Sequence, residues 1–272
     1  MATVDHDSFA PESRLRSSLV ELDRLLRGDL TRMPSLTKGS IAINPGRLSL
    51  TIAVLGMIYG ICMGTFSLFQ WEGAGPWQMI ASMIKVPLLF ALTLVVTLPS
   101  LYVINALLGS RLSAHAVIRL LIAAFGVMVS VLASLGTIVA FFSVSTTSYP
   151  FMVLLNVIVF SVSGFLGLSF LLQTLNRLTI SAPDVTLPDA ADPESLGPMP
   201  VSALDQGPSH AMSRTVNRVF QIWLVVFALV GAQMGWVLRP FIGNPAVPFT
   251  WFRGRNSNFF QAVLQTLGNL FS

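Results

Sequence analysis

From residue 48 to residue 238 the chain alternates long apolar runs with polar breaks, short except for the one before the last run, and the runs are longer than the helices of a water-soluble core. About 20 consecutive apolar residues carry an α-helix across the hydrocarbon core of a bilayer. Five runs meet that length, at 48–70, 86–108, 114–142, 151–172 and 219–238, the second preceded by a half-apolar lead-in over 77–85. The pattern predicts an all-α fold, a polytopic membrane bundle of five transmembrane helices with an amphipathic helix at each end. Residues 109–113 and 143–150 join neighbouring spans as short hairpins, with Gly109 as a helix C-terminal residue and Ser113 as the cap of the next helix.

The chain divides accordingly. Residues 1–47 form a cytoplasmic N-terminal segment, in which 13–27 place Leu15, Leu19, Leu22 and Leu26 on one helical face with Arg14, Arg16, Glu21, Asp23 and Arg24 around the rest. Residues 48–172 form a four-span core and 217–240 the fifth span. Between them, 173–216 read as a flexible linker: residues 180–213 hold six prolines and five acidic residues. Residues 241–272 form an outer interfacial tail, in which Phe260, Val263, Leu264, Leu267 and Phe271 make an apolar stripe behind a cap at Ser257 or Asn258. No internal repeat is visible, and five spans do not divide into the inverted halves of many transporters.

Composition strengthens the membrane reading. The 272 residues are 53% hydrophobic and 10% charged, with a mean hydropathy of +0.73, against roughly 25% charged in ordinary soluble domains. Between residues 48 and 172 the only charged side chains are Glu72, Lys85, Arg111 and Arg119. In water such a surface would be a single apolar patch; in a bilayer lipid solvates it. The first run begins behind a charged segment and is too long for a signal-peptide core, so no cleaved leader is expected.

A net charge of +4 and a pI near 9.8 would suggest nucleic acid were the charges not beside the apolar spans. There they set orientation and meet anionic lipid, and no nucleic-acid partner is expected. With the N-terminus cytoplasmic, twelve Lys and Arg fall inside and four outside, namely Lys85, Arg239, Arg253 and Arg255. The count predicts N-inside, C-outside, in a bacterial cytoplasmic (inner) membrane, with Trp71, Trp77, Trp236 and Trp251 at the outer interface. Cys62, the single cysteine, excludes an intramolecular disulfide.

Candidate chemistry is sparse. No Asp or Glu lies inside a predicted span, which removes the buried carboxylate that proton-coupled carriers use. His6, His115 and His210 lack metal-ligand spacing, and no GxSxG, HExxH or Walker loop is present. No catalytic residue, metal or cofactor is expected, and the chain reads as a non-enzyme.

The sharpest pattern is Gly56, Gly60 and Gly64, three glycines on one helix face, where a second backbone approaches closely. They serve either packing inside the bundle or association with another chain. Pro87 is expected in the first turn of its helix. Pro99 is expected to kink the second span, with Asn105 six residues on. Asn105, Asn156 and Gln233 are the intramembrane amides, readable as interhelical glue or as the lining of a pathway. Lys85 and Arg119, near span ends, are expected to snorkel to headgroups. In the outer tail, Trp251, Arg253 and Arg255 suit lipid headgroups or a partner surface.

Residues 86–109, Val-Pro-Leu-Leu-Phe-Ala-Leu through Leu-Pro-Ser-Leu-Tyr-Val-Ile-Asn-Ala-Leu-Leu-Gly, followed by a short basic hairpin, resemble the central part of Yip1-domain membrane proteins. The resemblance spans about residues 75–175. It implies five spans, a cytoplasmic N-terminus and a C-terminus across the membrane; the eukaryotic relatives act in membrane traffic by binding partners. Residues 231–260 resemble uncharacterised bacterial membrane proteins. The expected function is a non-catalytic membrane scaffold or accessory subunit of a larger assembly, in contact with lipids and with a membrane-protein partner or a second copy. The alternative is an oligomeric channel or permease with its pathway near the Pro99 kink.

Overall fold

The computed structural model describes residues 11–28, 44–70, 75–107, 114–180, 210–244, 247–254 and 257–271. These residues form seven helices and no strand: α1 (Pro11–Leu26), α2 (Pro45–Gln70), α3 (Gly75–Leu107), α4 (Ala114–Ser145), α5 (Tyr149–Ile180), α6 (His210–Val237) and α7 (Phe259–Phe271). Four are long and apolar enough to cross a membrane, over Pro45–Gln70, Gly75–Ser100, Val117–Ser145 and Tyr149–Thr174. The chain is therefore a multi-pass membrane protein. In α6, where the fifth span is expected, the apolar stretch Gln221–Val237 is shorter than these four.

Local signals place the helix ends. Asn44 caps α2, its side-chain oxygen accepting from the Arg47 N–H at 3.5 Å, and Pro45 fills the first helical position, where an absent N–H costs nothing. Ser148 accepts from the Phe151 N–H at the start of α5, and Asn258 from the Gln261 N–H at 2.9 Å at the start of α7. Of the two caps considered for α7, Asn258 is the one used. Gly28, at φ 76°, closes α1 in the left-handed region that favours glycine.

Helix α2 lies at the centre, packed on both α3 and α4; α5 packs on α4, α6 along α3, and α7 on α5 and α6. The interior is continuous across these elements. Phe90 of α3 meets Phe125 of α4 and Phe160 of α5 at 5.8 and 6.4 Å, and Phe125 meets Phe227 of α6 at 5.7 Å. The outer surface is as apolar as the interior, with Phe165 71% and Phe141 65% exposed. A surface of that composition is stable only against lipid.

Three sequence expectations shift. The lead-in over 77–85 is not a preface to the second span but its first turns: α3 starts at Gly75, so Pro87 lies well inside the helix rather than in its first turn. Helix α3 runs unbroken through both Pro87 and Pro99. On α1 the buried face is Ser18, Leu22 and Leu25, while Leu19 and Leu26, placed with Leu22 on the apolar face by their spacing, are each 49% exposed. The reason is the neighbour: Leu22 and Leu25 meet Gly126 of α4, where the absence of a side chain admits them. Glu21, on the same helix, accepts the Asn44 N–H at 2.7 Å and so ties α1 to the start of α2. Around the expected linker, α5 continues to Ile180 and α6 begins at His210; residues 181–209 lie outside the described residues.

Candidate functional site

Among the described residues the densest polar cluster is at one end of the bundle, where residues 239–244 and 247–254 meet the first turns of α3. Gln78, Ser82 and Lys85, at i, i+4 and i+7, share one face of that helix, and all three are buried. The Gln78 amide donates to the carbonyls of Pro240 and Phe241 at 3.2 and 2.9 Å. The Ser82 hydroxyl donates to the Phe241 carbonyl, and it lies 2.9 Å from the Gln78 carbonyl of its own helix. Lys85 is 1% exposed. Its ammonium donates to the Pro240 carbonyl at 3.0 Å and to the Trp251 carbonyl, and it lies 5.2 Å from the centre of the Phe252 ring.

Lys85 therefore does not snorkel. A buried ammonium needs acceptors for its N–H bonds, and the returning tail supplies them as main-chain carbonyls and an aromatic face. This also explains why α3 can begin at Gly75: the charge that interrupts the apolar run in the sequence is enclosed by protein.

Beside Lys85, the cations of the tail among the described residues are Arg239 and Arg253. The Arg239 guanidinium stacks on the Trp236 ring, 3.6 Å from its centre, and donates to the Gly254 carbonyl. The main-chain N–H of Arg253 donates to the Arg239 carbonyl at 3.4 Å, and the Trp236 indole to the Ser257 carbonyl at 2.5 Å. Partial burial, and then the neighbouring Arg253 charge, push the Arg239 guanidinium below its ordinary value, while the Tyr149 phenol acts the other way.

The other predicted residues fall elsewhere. Gly56, Gly60 and Gly64 face α3 inside the bundle: a Cβ at these positions would lie 3.5 Å from Pro87, 2.5 Å from the Ser82 carbonyl and 2.7 Å from Met79, respectively. Asn156 is buried and accepts from the Tyr59 hydroxyl at 2.7 Å, while its amide donates to the Met152 carbonyl at 2.9 Å. It joins α2 to α5 as interhelical glue. Gln233 is half-buried on α6. The Asn105 side chain and Arg255 lie outside the described residues. Trp251 is exposed, as a lipid or partner contact requires, and its ring packs edge-on against Phe249 at 5.9 Å. Arg253 instead turns inward, with Nε and Nη2 buried.

Sequence reasoning missed Gln78, Ser82 and Tyr59. For the first two a signal was present, since Gln78, Ser82 and Lys85 repeat at helical spacing within the lead-in. For Tyr59 there was none: one tyrosine in an apolar helix does not announce an asparagine 97 residues away.

No group of His, Cys, Asp or Glu that could hold a metal ion occurs among the described residues. No family model, curated protein or solved structure matches the chain.

Proposed function

We propose that the chain is a five-span, non-catalytic scaffold or accessory subunit of a larger membrane assembly, with its N-terminus in the cytoplasm of a bacterial cell and its C-terminus across the inner membrane. The observation that carries this reading is where the buried polar groups are engaged. Gln78, Ser82 and Lys85 hold the tail against α3, which leaves Trp251 and Phe252 exposed on a strapped loop. Partner binding of this kind is also what the likeness to Yip1-domain proteins implies. Asn156, one of the amides a transport path would need, is instead closed against Tyr59.

The fifth crossing draws support from the antiparallel course of α6 along α3. The Trp223 indole donates to Ser100 Oγ at 3.0 Å, a Cβ on Gly231 would sit 3.8 Å from Thr93, and Pro240 reaches Lys85. From Ser100 to Gln78 the α3 axis covers roughly 33 Å, about the thickness of a hydrocarbon core. The two ends of α6 then lie on opposite sides.

Two measurements test these statements. In a Cys62→Ala background, Ser195→Cys is expected to react with an impermeant thiol reagent only from the cytoplasmic side, and Ser257→Cys only from outside. Labelling of both from one side removes the five-span topology. After mild solubilisation the protein is expected to run as a particle heavier than one 29.4 kDa chain and its micelle. A strictly monomeric particle with no companion would remove the scaffold reading.

A further inference from the structure

We propose that Arg239 and Arg253 form a binding site for a phosphate group, which Arg253 grips side-on through Nε and Nη2. The site is independent of whether the protein joins a larger assembly.

Three N–H-bearing atoms carry the argument. Arg253 Nε, Arg253 Nη2 and Arg239 Nε are shut off from solvent, and none has an acceptor among the described residues. A buried charged donor without a partner is costly. Nε and Nη2 form the edge of a guanidinium whose two N–H bonds run parallel, at the spacing of two oxygens on one phosphorus. On Arg253 neither atom of that edge has an acceptor among the described residues. On Arg239 the Nη2 atom is held by the Gly254 carbonyl and the guanidinium plane by Trp236, which leaves Nε without an acceptor.

Charge points the same way. Arg239 and Arg253 are tied by a main-chain hydrogen bond, and Lys85 is anchored to Pro240 and Trp251 in the same loop. The chain offers little to neutralise three cations: Glu72 is its only acidic side chain between Asp29 and Asp184, and none follows Asp205. Lys85 is already satisfied by carbonyls, so the unmet demand is at the two arginines. The loop also carries the exposed Trp251 and Phe252, next to Arg253 in the chain, a composition suited to headgroup depth. A phosphodiester of an anionic phospholipid and free phosphate present the same oxygens.

The test uses the full-length protein, delipidated in a neutral detergent, with the thermal midpoint read against added dioleoylphosphatidylglycerol. A second titration uses sodium phosphate at constant ionic strength, chloride making up the balance. A saturable rise is expected with the lipid, weakened about tenfold or more in apparent affinity by Arg253→Gln. Arg253→Lys, which keeps the charge but loses the paired edge, is expected to remain weakened and serves if the glutamine variant does not fold. Arg47→Gln, at an exposed arginine that opens α2, is expected to respond like the wild type. A rise with phosphate alone that Arg253→Gln abolishes supports the site with free phosphate as its ligand. No rise with either probe, or a rise that both Arg253 variants leave unchanged, overturns the proposal.

Discussion

Lys85→Met is expected to detach the tail from α3 while leaving the bundle folded. The methionine side chain fills a similar volume, so the change removes the ammonium and little packing. The Trp251 carbonyl loses its donor, while the Pro240 carbonyl keeps the Gln78 amide at 3.2 Å; a buried carbonyl left unpaired costs about 1–3 kcal/mol. The loop can avoid that cost by opening to the interface, where water or headgroups satisfy the carbonyls, so the loss appears as local unfolding. Hydrogen exchange in detergent is the direct readout. Amides over 239–254 are expected to lose protection, while those facing the Tyr59–Asn156 pair in α2 and α5 keep theirs. Lys85→Arg is not expected to restore the loop, since a planar guanidinium does not fit a cage shaped for a compact ammonium. Unchanged protection over 239–254 in Lys85→Met would show that Gln78 and Ser82 hold the tail without it.

Lys85 also shows which parts of this protein were legible in its sequence. Apolar runs in the α2, α3, α4 and α5 regions revealed the membrane helices, because crossing lipid imposes a length and a composition that no other constraint mimics. Caps were legible at Asn258 and the amphipathic character at α1, since both depend on residues within a few positions of each other. What stayed hidden depends on distant partners. The acceptors of Lys85 lie 155 and 166 residues further along the chain, so a lysine near a span end looked like one that reaches for headgroups. The same holds for α1: the leucine stripe identified a helix, but which leucines are buried is decided by Gly126 on another element. Arg253 combines both lessons. Its type and its aromatic neighbours marked it as a headgroup contact, and only the folded loop turns its paired N–H edge inward.

Gly60→Leu is expected to destabilise the single chain, at any protein concentration, more than any other substitution on the glycine face. A Cβ at position 60 would stand 2.5 Å from the Ser82 carbonyl oxygen and 2.7 and 2.9 Å from Met83 Cα and N. All three are backbone atoms, so no side-chain rotation relieves the overlap, and α2 and α3 must separate. Overpacking of a fitted core costs about 1–3 kcal/mol; the three further carbons of leucine put this variant at or above the top of that range. The displaced segment of α3 carries Ser82, whose hydroxyl holds the Phe241 carbonyl, so the strain reaches the tail as well. Gly56→Ala is the internal control. Its Cβ would lie 3.5 Å from Pro87, an ordinary van der Waals distance, and alanine favours the helix by up to about 1 kcal/mol over glycine. That variant is expected to unfold at or slightly above the wild-type temperature. Thermal unfolding in detergent, followed at two protein concentrations, separates this from the association reading of the same three glycines. A face between two chains would make the Gly60→Leu loss shrink on dilution and would leave the monomer intact; a face inside the bundle gives the same loss at both concentrations.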